Sequence, residues 1–149
     1  MRITLEHYWM GRDKTHGAEL TPVIEANALV LVERVNKLLT YAGGALELVR
    51  NPRTGSPLTS GWRPEAINGA TPGAAIFSAH MSGEAIDLFD PDGEIDDWLW
   101  ANQHILGFLD VDLYVEHPSA TKGWAHLQTR VPKSQRRMPY NARRRWFYP

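Results

Sequence analysis

Apolar residues Val23, Leu29, Val32, Val35, Leu38 and Leu39 recur near helical spacing between Thr21-Pro22 and Gly43-Gly44. The pattern predicts one long, mostly buried helix. Thr21 suits its N-cap and Pro22 its first position, where a missing N–H costs nothing; Asn27 is the point where it can break. Leu46 to Val49 reads as a short strand, closed by the turn residues Asn51-Pro52-Arg53-Thr54-Gly55. Another extended piece enters Ser60-Gly61-Trp62-Arg63, and Pro64 opens a short helix through Ala66 and Ile67 that Asn68-Gly69 ends. The next segment, Ala70 to Ala75, reads as loop.

Asp92 can cap a further helix in which Ile95, Trp98, Leu99 and Ile105 or Leu106 fall at helical intervals, with Glu94, Asp96 and Asp97 at its positive end. Asp112 to Glu116 and Trp124 to Gln128 alternate as half-buried strands do, and Pro118 to Gly123 connects them. Helices early, strands late and short connections predict an α+β fold with a small antiparallel sheet packed against helices. At 149 residues, without repeat or linker, the chain is expected to form one domain.

Hydrophobic residues make up 43% and charged residues 22%, which excludes intrinsic disorder as the chain's organising principle. Cysteine is absent, so disulfides, thiolate metal sites and a cysteine nucleophile are excluded, and any metal must use His, Asp or Glu. No apolar run approaches the roughly 20 residues of a membrane span, and Met1 to Glu6 lacks a signal-peptide core, so synthesis in a cytoplasm is expected. From Arg130 onward there are seven basic residues and no acidic one; the overall charge of -1 thus divides into +7 for this tail and -8 for the body. Within the tail, Arg143-Arg144-Arg145 beside Trp146-Phe147-Tyr148 either contacts an anionic envelope surface or packs its aromatics back onto the domain. The basic cluster is confined to the tail and no recognised nucleic-acid module accompanies it, which sets nucleic acid aside as a partner.

The most informative stretch is Ser78-Ala79-His80-Met81-Ser82-Gly83-Glu84-Ala85-Ile86-Asp87. Gly83 permits a sharp turn after His80, and the strand that follows places Ala85 and Asp87 on one face. On the last strand Trp124, His126 and Gln128 share a face. Two imidazoles and one carboxylate leave a fourth position for water on a catalytic zinc, which lowers the pKa of that water to about 7. Six histidines occur in the chain, so spacing alone leaves the ligand set open. His7 and His16 with Asp13 follow no defensible ligand pattern, and Asp90-Pro91-Asp92-Gly93-Glu94 lacks the full series of a calcium loop; a turn and helix cap explain it better.

Ser78-x-His80-x-x-Gly83-x-Ala85-x-Asp87, preceded by Ser60-Gly61-Trp62-Arg63-Pro64 and Asn68 and followed by Trp124-x-His126, resembles the zinc D-alanyl-D-alanine carboxypeptidase superfamily, which includes phage endolysins. The motifs span residues 58 to 128; the region before them carries none. The resemblance implies a hedgehog/DD-peptidase-like fold and one zinc ion held by His80, Asp87 and His126. It implies that Arg63 and Ser78 hold a substrate carboxylate or carbonyl, a task that suits a forked, permanently charged guanidinium. Many members place the general base three residues before the last ligand, where this chain has Gly123. A branch with Trp-x-His carries a Glu at the end of the preceding strand, which Glu116 matches; His117 is the competing candidate. The implied function is peptidoglycan peptide hydrolysis by a monomeric phage endolysin that reaches the wall by release or delivery. A D-alanyl-D-alanine carboxypeptidase and a non-catalytic zinc-bearing virion or wall-binding module are the alternatives.

Overall fold

In the computed structural model, which describes residues 1–149, the chain opens with two short helices, α1 (Leu5–Trp9) and α2 (Arg12–Thr15). Thr4 and His7 cap α1 reciprocally, each side chain accepting the other residue's backbone N–H, which gives His7 a structural task. Helix α3 (Pro22–Ala42) starts where its sequence signals place it: the Thr21 hydroxyl accepts the Ile24 N–H and Pro22 occupies the first turn. It does not break at Asn27, whose side-chain amide instead donates to the Ser82 carbonyl at 2.9 Å and ties α3 to the loop carrying His80.

Strand β1 (Leu58–Ser60) and helix α4 (Glu65–Gly69) bracket the Gly61-Trp62-Arg63-Pro64 segment. Strand β2 (Ala85–Asp90) leads into helix α5 (Glu94–Ala101), then α6 (Gln103–Leu106) after an interruption at Asn102. The predicted single helix is therefore two. The Asp92 cap is also corrected: Gly93 occupies the N-cap, and Asp90, from the end of β2, accepts the Ile95 and Asp96 N–H groups. Strands β3 (Tyr114–Glu116), β4 (Gly123–Gln128) and β5 (Trp146–Phe147) complete the sheet. Leu46 to Val49 joins no ladder; Leu48 alone is buried.

The architecture is α+β, with strand order β1-β2-β4-β3-β5. The sheet is mixed and not wholly antiparallel, because β5 pairs with β3 in parallel. The chain between Gln128 and Trp146 is long enough for the crossover that parallel pairing needs. The tail thereby covers the open edge of β3: the Val115 N–H donates to the Arg145 carbonyl and the His117 N–H to the Phe147 carbonyl. Phe147 is buried, and the buried Arg145 pairs with Asp112 at 2.7 Å between the rings of Tyr114 and Tyr140. The expectation that the tail aromatics pack back while the arginines stay solvated holds for Phe147 and is corrected at Arg145, which is buried, and at Tyr148, which is exposed. No helix is long and apolar enough to cross a membrane.

One sheet face carries Ile86, Leu88, Val115, Ala125 and Leu127 into a core shared with Leu31, Val32, Val35 and Leu38 of α3 and Ile95 and Leu99 of α5. Each buried Val, Leu or Ile side chain among them contributes about 1.5–3 kcal/mol by leaving water. The alternate residues Asp87, His126 and Glu116 therefore share the opposite face. Helix α1 braces one side of it: the Trp62 N–H donates to the Tyr8 carbonyl, and the Tyr8 hydroxyl to the Ala85 carbonyl. A Cβ on Gly61 would run into the Tyr8 carbonyl. Gly61→Ala should accordingly lower the melting temperature, read by thermal unfolding; an unchanged melting temperature would contradict this packing.

Candidate metal centre

Asp87 and His126 are direct cross-strand partners on β2 and β4, and His80 arrives from the loop before β2. Gly83 makes that loop possible: its φ is 80°, and a side chain there would strike the Ile24 carbonyl of α3. The Arg130 guanidinium then pins the loop by donating to the Phe77 carbonyl, the Ser82 hydroxyl and the Glu84 carboxylate. His80, Asp87 and His126 are 2%, 7% and 8% exposed, so their polar atoms need partners within the protein.

Those partners define which ring nitrogens face the cluster. His80 Nδ1–H donates to the Gly61 carbonyl at 2.8 Å, leaving Nε2 turned toward Asp87 Oδ2 at 3.2 Å. The Gln128 side-chain nitrogen donates to the Arg130 carbonyl, so its Oε1 accepts His126 Nε2–H at 2.9 Å. His126 Nδ1 thus faces Asp87 Oδ1 at 2.8 Å. One ligand atom from each of the three residues lies within 4.8 Å of the others. Tetrahedral zinc, with ligand distances of about 2.0–2.2 Å, sets its ligand atoms roughly 3.3–3.6 Å apart. The donor set fits a single small cation, and a lone pair facing a carboxylate oxygen at 3.2 Å is an arrangement that a cation relieves.

Electrostatics agree. Burial disfavours the charged form of His80 and lowers its pKa, although Asp87 opposes this. Burial alone would raise the Asp87 carboxyl, but the charges and hydrogen bonds of His80 and His126 outweigh it and hold Asp87 well below the usual carboxylate range. For His126 burial is again opposed, here by the hydrogen bond and charge of Asp87 with support from Glu116 and Gln128, and the balance is upward. A cation entering the cluster must displace the His126 Nδ1 proton.

Glu116, at the end of β3, brings Oε2 to 3.9 Å from His126 Nδ1. Burial, with a contribution from Asp87, raises its carboxyl above the ordinary value against the pull of His126. His117 points elsewhere. It stacks on Tyr148 with centroids 4.6 Å apart, meets Trp100 and Trp146, and accepts the Ser119 N–H on Nδ1. Arg63 Nη2 donates to Ser78 Oγ at 3.1 Å, the same hydroxyl accepts the His80 N–H, and the Arg63 N–H donates to the His80 carbonyl. All six site residues anticipated from sequence thus gather around one face. Reading the sequence did not assign roles to Gly61 and Gln128, the outer partners of the two imidazoles; Gln128 was visible only as a polar residue in phase with His126.

Compared with protein-family models, curated proteins and solved structures, the chain gives no match.

Outer partners that orient ligating imidazoles are typically worth about 10–100-fold in metal affinity. Gln128→Leu should weaken zinc binding by that order at pH 7 in competition with a chromophoric chelator, and undiminished affinity would remove the role assigned to Gln128. Wild-type affinity should fall as pH decreases, because His126 takes its proton back, and the fall should begin above the pH expected of an ordinary histidine.

Proposed function

We propose that the protein is a zinc-dependent peptidase of bacterial cell-wall peptides with a hedgehog/DD-peptidase-like fold, of the endolysin kind. The observation that carries this reading is the convergence of His80 Nε2, Asp87 and His126 Nδ1, with Glu116 beside them and Arg63 tied to Ser78. The sequence motifs that resemble the zinc carboxypeptidase superfamily supply the same residues.

His80, Asp87 and His126 would hold a zinc ion that, when bound, would supply Lewis acidity toward an amide carbonyl and a water. Glu116 would take a proton from an attacking water and return it to the departing amine. Its burial suits that exchange, because a carboxyl raised above its ordinary value holds a proton more readily than an exposed one. Arg63 receives a substrate carboxylate or the polarised carbonyl oxygen, and Ser78 fixes the guanidinium's orientation. Asp87 stays ionised throughout the physiological range, and Gly61 and Gln128 keep both imidazoles in the ligating tautomer.

Incubation of zinc-loaded protein with purified peptidoglycan should release fragments with new termini at one peptide bond, identified by mass spectrometry and lost in a chelated control. Glu116→Gln should keep its zinc while turnover falls by about 10²–10⁴. Release of no termini from any wall type by the zinc-loaded protein would overturn the peptidase reading, and full turnover in Glu116→Gln would remove Glu116 from the mechanism.

A further inference from the structure

His117, which points away from the metal cluster, packs into a group of rings at the β5 edge of the sheet. Its imidazole stacks on Tyr148, with centroids 4.6 Å apart and 25° between the planes, and makes T-shaped contacts with Trp100 at 5.0 Å and Trp146 at 5.8 Å. Trp146 in turn meets Trp100 and Tyr148, both at 5.4 Å. These rings are not sealed in the core: Trp100 is 39% and Tyr148 62% exposed. Tyr148 has one face on His117, which leaves the other face to water. The cluster is continuous with the candidate metal centre along two paired strands. His117 follows Glu116, and Tyr148 follows Phe147, whose ring lies 6.0 Å from that of His126.

Single exposed aromatics are ordinary on a protein surface, whereas a contiguous group of them marks a place where something binds. The polar atoms at its rim narrow what that is. Arg144 is exposed, lies 4.7 Å over the Trp146 ring and enters none of the molecule's ion pairs. His117 Nδ1 accepts the Ser119 N–H, so the neutral ring carries its proton on Nε2, where it is free to donate. An apolar surface fringed by donors matches a pyranose ring, whose C–H groups line its faces and whose hydroxyl and acetamido groups line its rim. A cationic ligand is disfavoured, because Arg144 already occupies a ring face. The group also contains no aliphatic side chain to anchor it in a bilayer.

We propose that Trp100, His117, Trp146, Tyr148 and Arg144 form a platform for an N-acetylated sugar ring, so that the protein takes stem peptides still attached to their glycan strand. Tyr148 supplies the open stacking face, and Arg144 donates to the acetamido carbonyl and ring hydroxyls. The proposal rests on the peptidase reading for the attached peptide, whereas sugar binding by the platform stands without it.

The test titrates triacetylchitotriose into the zinc-loaded full chain and follows it by NMR. Cellotriose, which lacks the acetamido groups, and vesicles of phosphatidylcholine with phosphatidylglycerol are the comparison probes. The indole N–H signals of Trp100 and Trp146 should shift saturably with the acetylated sugar. Tyr148→Ala and Arg144→Gln should each weaken that binding about tenfold, and Tyr148→Phe, which keeps the ring, should retain most of it. Both side chains are exposed, so the variants should fold, as thermal unfolding checks; Arg144→Gln decides the matter if Tyr148→Ala does not. On cell-wall fragments, Tyr148→Ala should raise KM for glycan-attached stem peptide more than for the free peptide. Absence of a saturable shift, equal affinity for cellotriose, undiminished sugar binding in both folded variants, or binding to the vesicles in place of the sugar each overturns the platform. Tyr148-dependent binding of triacetylchitotriose by a protein that releases nothing from peptidoglycan leaves the platform standing and removes the peptidase reading instead.

Discussion

The hydrogen bond from His80 Nδ1 to the Gly61 carbonyl is the contact on which the rest of the centre depends. It fixes the tautomer of a buried imidazole whose other nitrogen then has nothing to face but Asp87. The Gly61 carbonyl is itself held by the backbone of α1, because the Tyr8 carbonyl receives the Trp62 N–H and leaves no room for a side chain on Gly61. Tyr8 also reaches the start of β2 through its hydroxyl. A five-residue helix at the N-terminus therefore sets the position of the loop ligand and of the strand that carries the carboxylate. Burial makes this arrangement consequential: in water these polar groups would exchange partners freely, whereas inside the protein each unmade hydrogen bond costs about 1–3 kcal/mol.

The elements legible in the sequence are those whose signals are local. The Thr21 cap with Pro22 and the apolar stripe of α3 specify a helix without reference to the rest of the chain. The alternation on either side of His126 specifies β4, and the in-phase residues Asp87, His126 and Gln128 do share a face. What could not be read depends on the path the backbone takes. Asp90 caps α5 from the preceding strand because Gly93 brings the helix start back toward it, a geometry that a positive φ of 77° permits and a search for local capping residues misses. Leu46 to Val49 has strand-forming residues but joins no ladder.

The tail shows the same limit in its charges. Seven basic residues without an acid suggest an outward-facing cationic arm, yet Arg145 is drawn inward by Asp112 and two tyrosine rings, and Trp146-Phe147 adds a parallel strand to the sheet edge. Phe147 then lies 6.0 Å from the His126 ring, centroid to centroid, so the last residues of the chain help wall the centre. Arg12 illustrates the opposite case: a residue outside every motif that the fold delivers next to one inside them.

The central claim is that this sheet face holds one metal ion through two imidazoles and a carboxylate already oriented for it. Zinc K-edge X-ray absorption of protein loaded with one equivalent tests it most directly. The account predicts a four-coordinate shell of nitrogen and oxygen at about 2.0–2.1 Å with the multiple-scattering signature of two imidazoles. A shell of oxygen atoms alone, or one with a single imidazole, would contradict it.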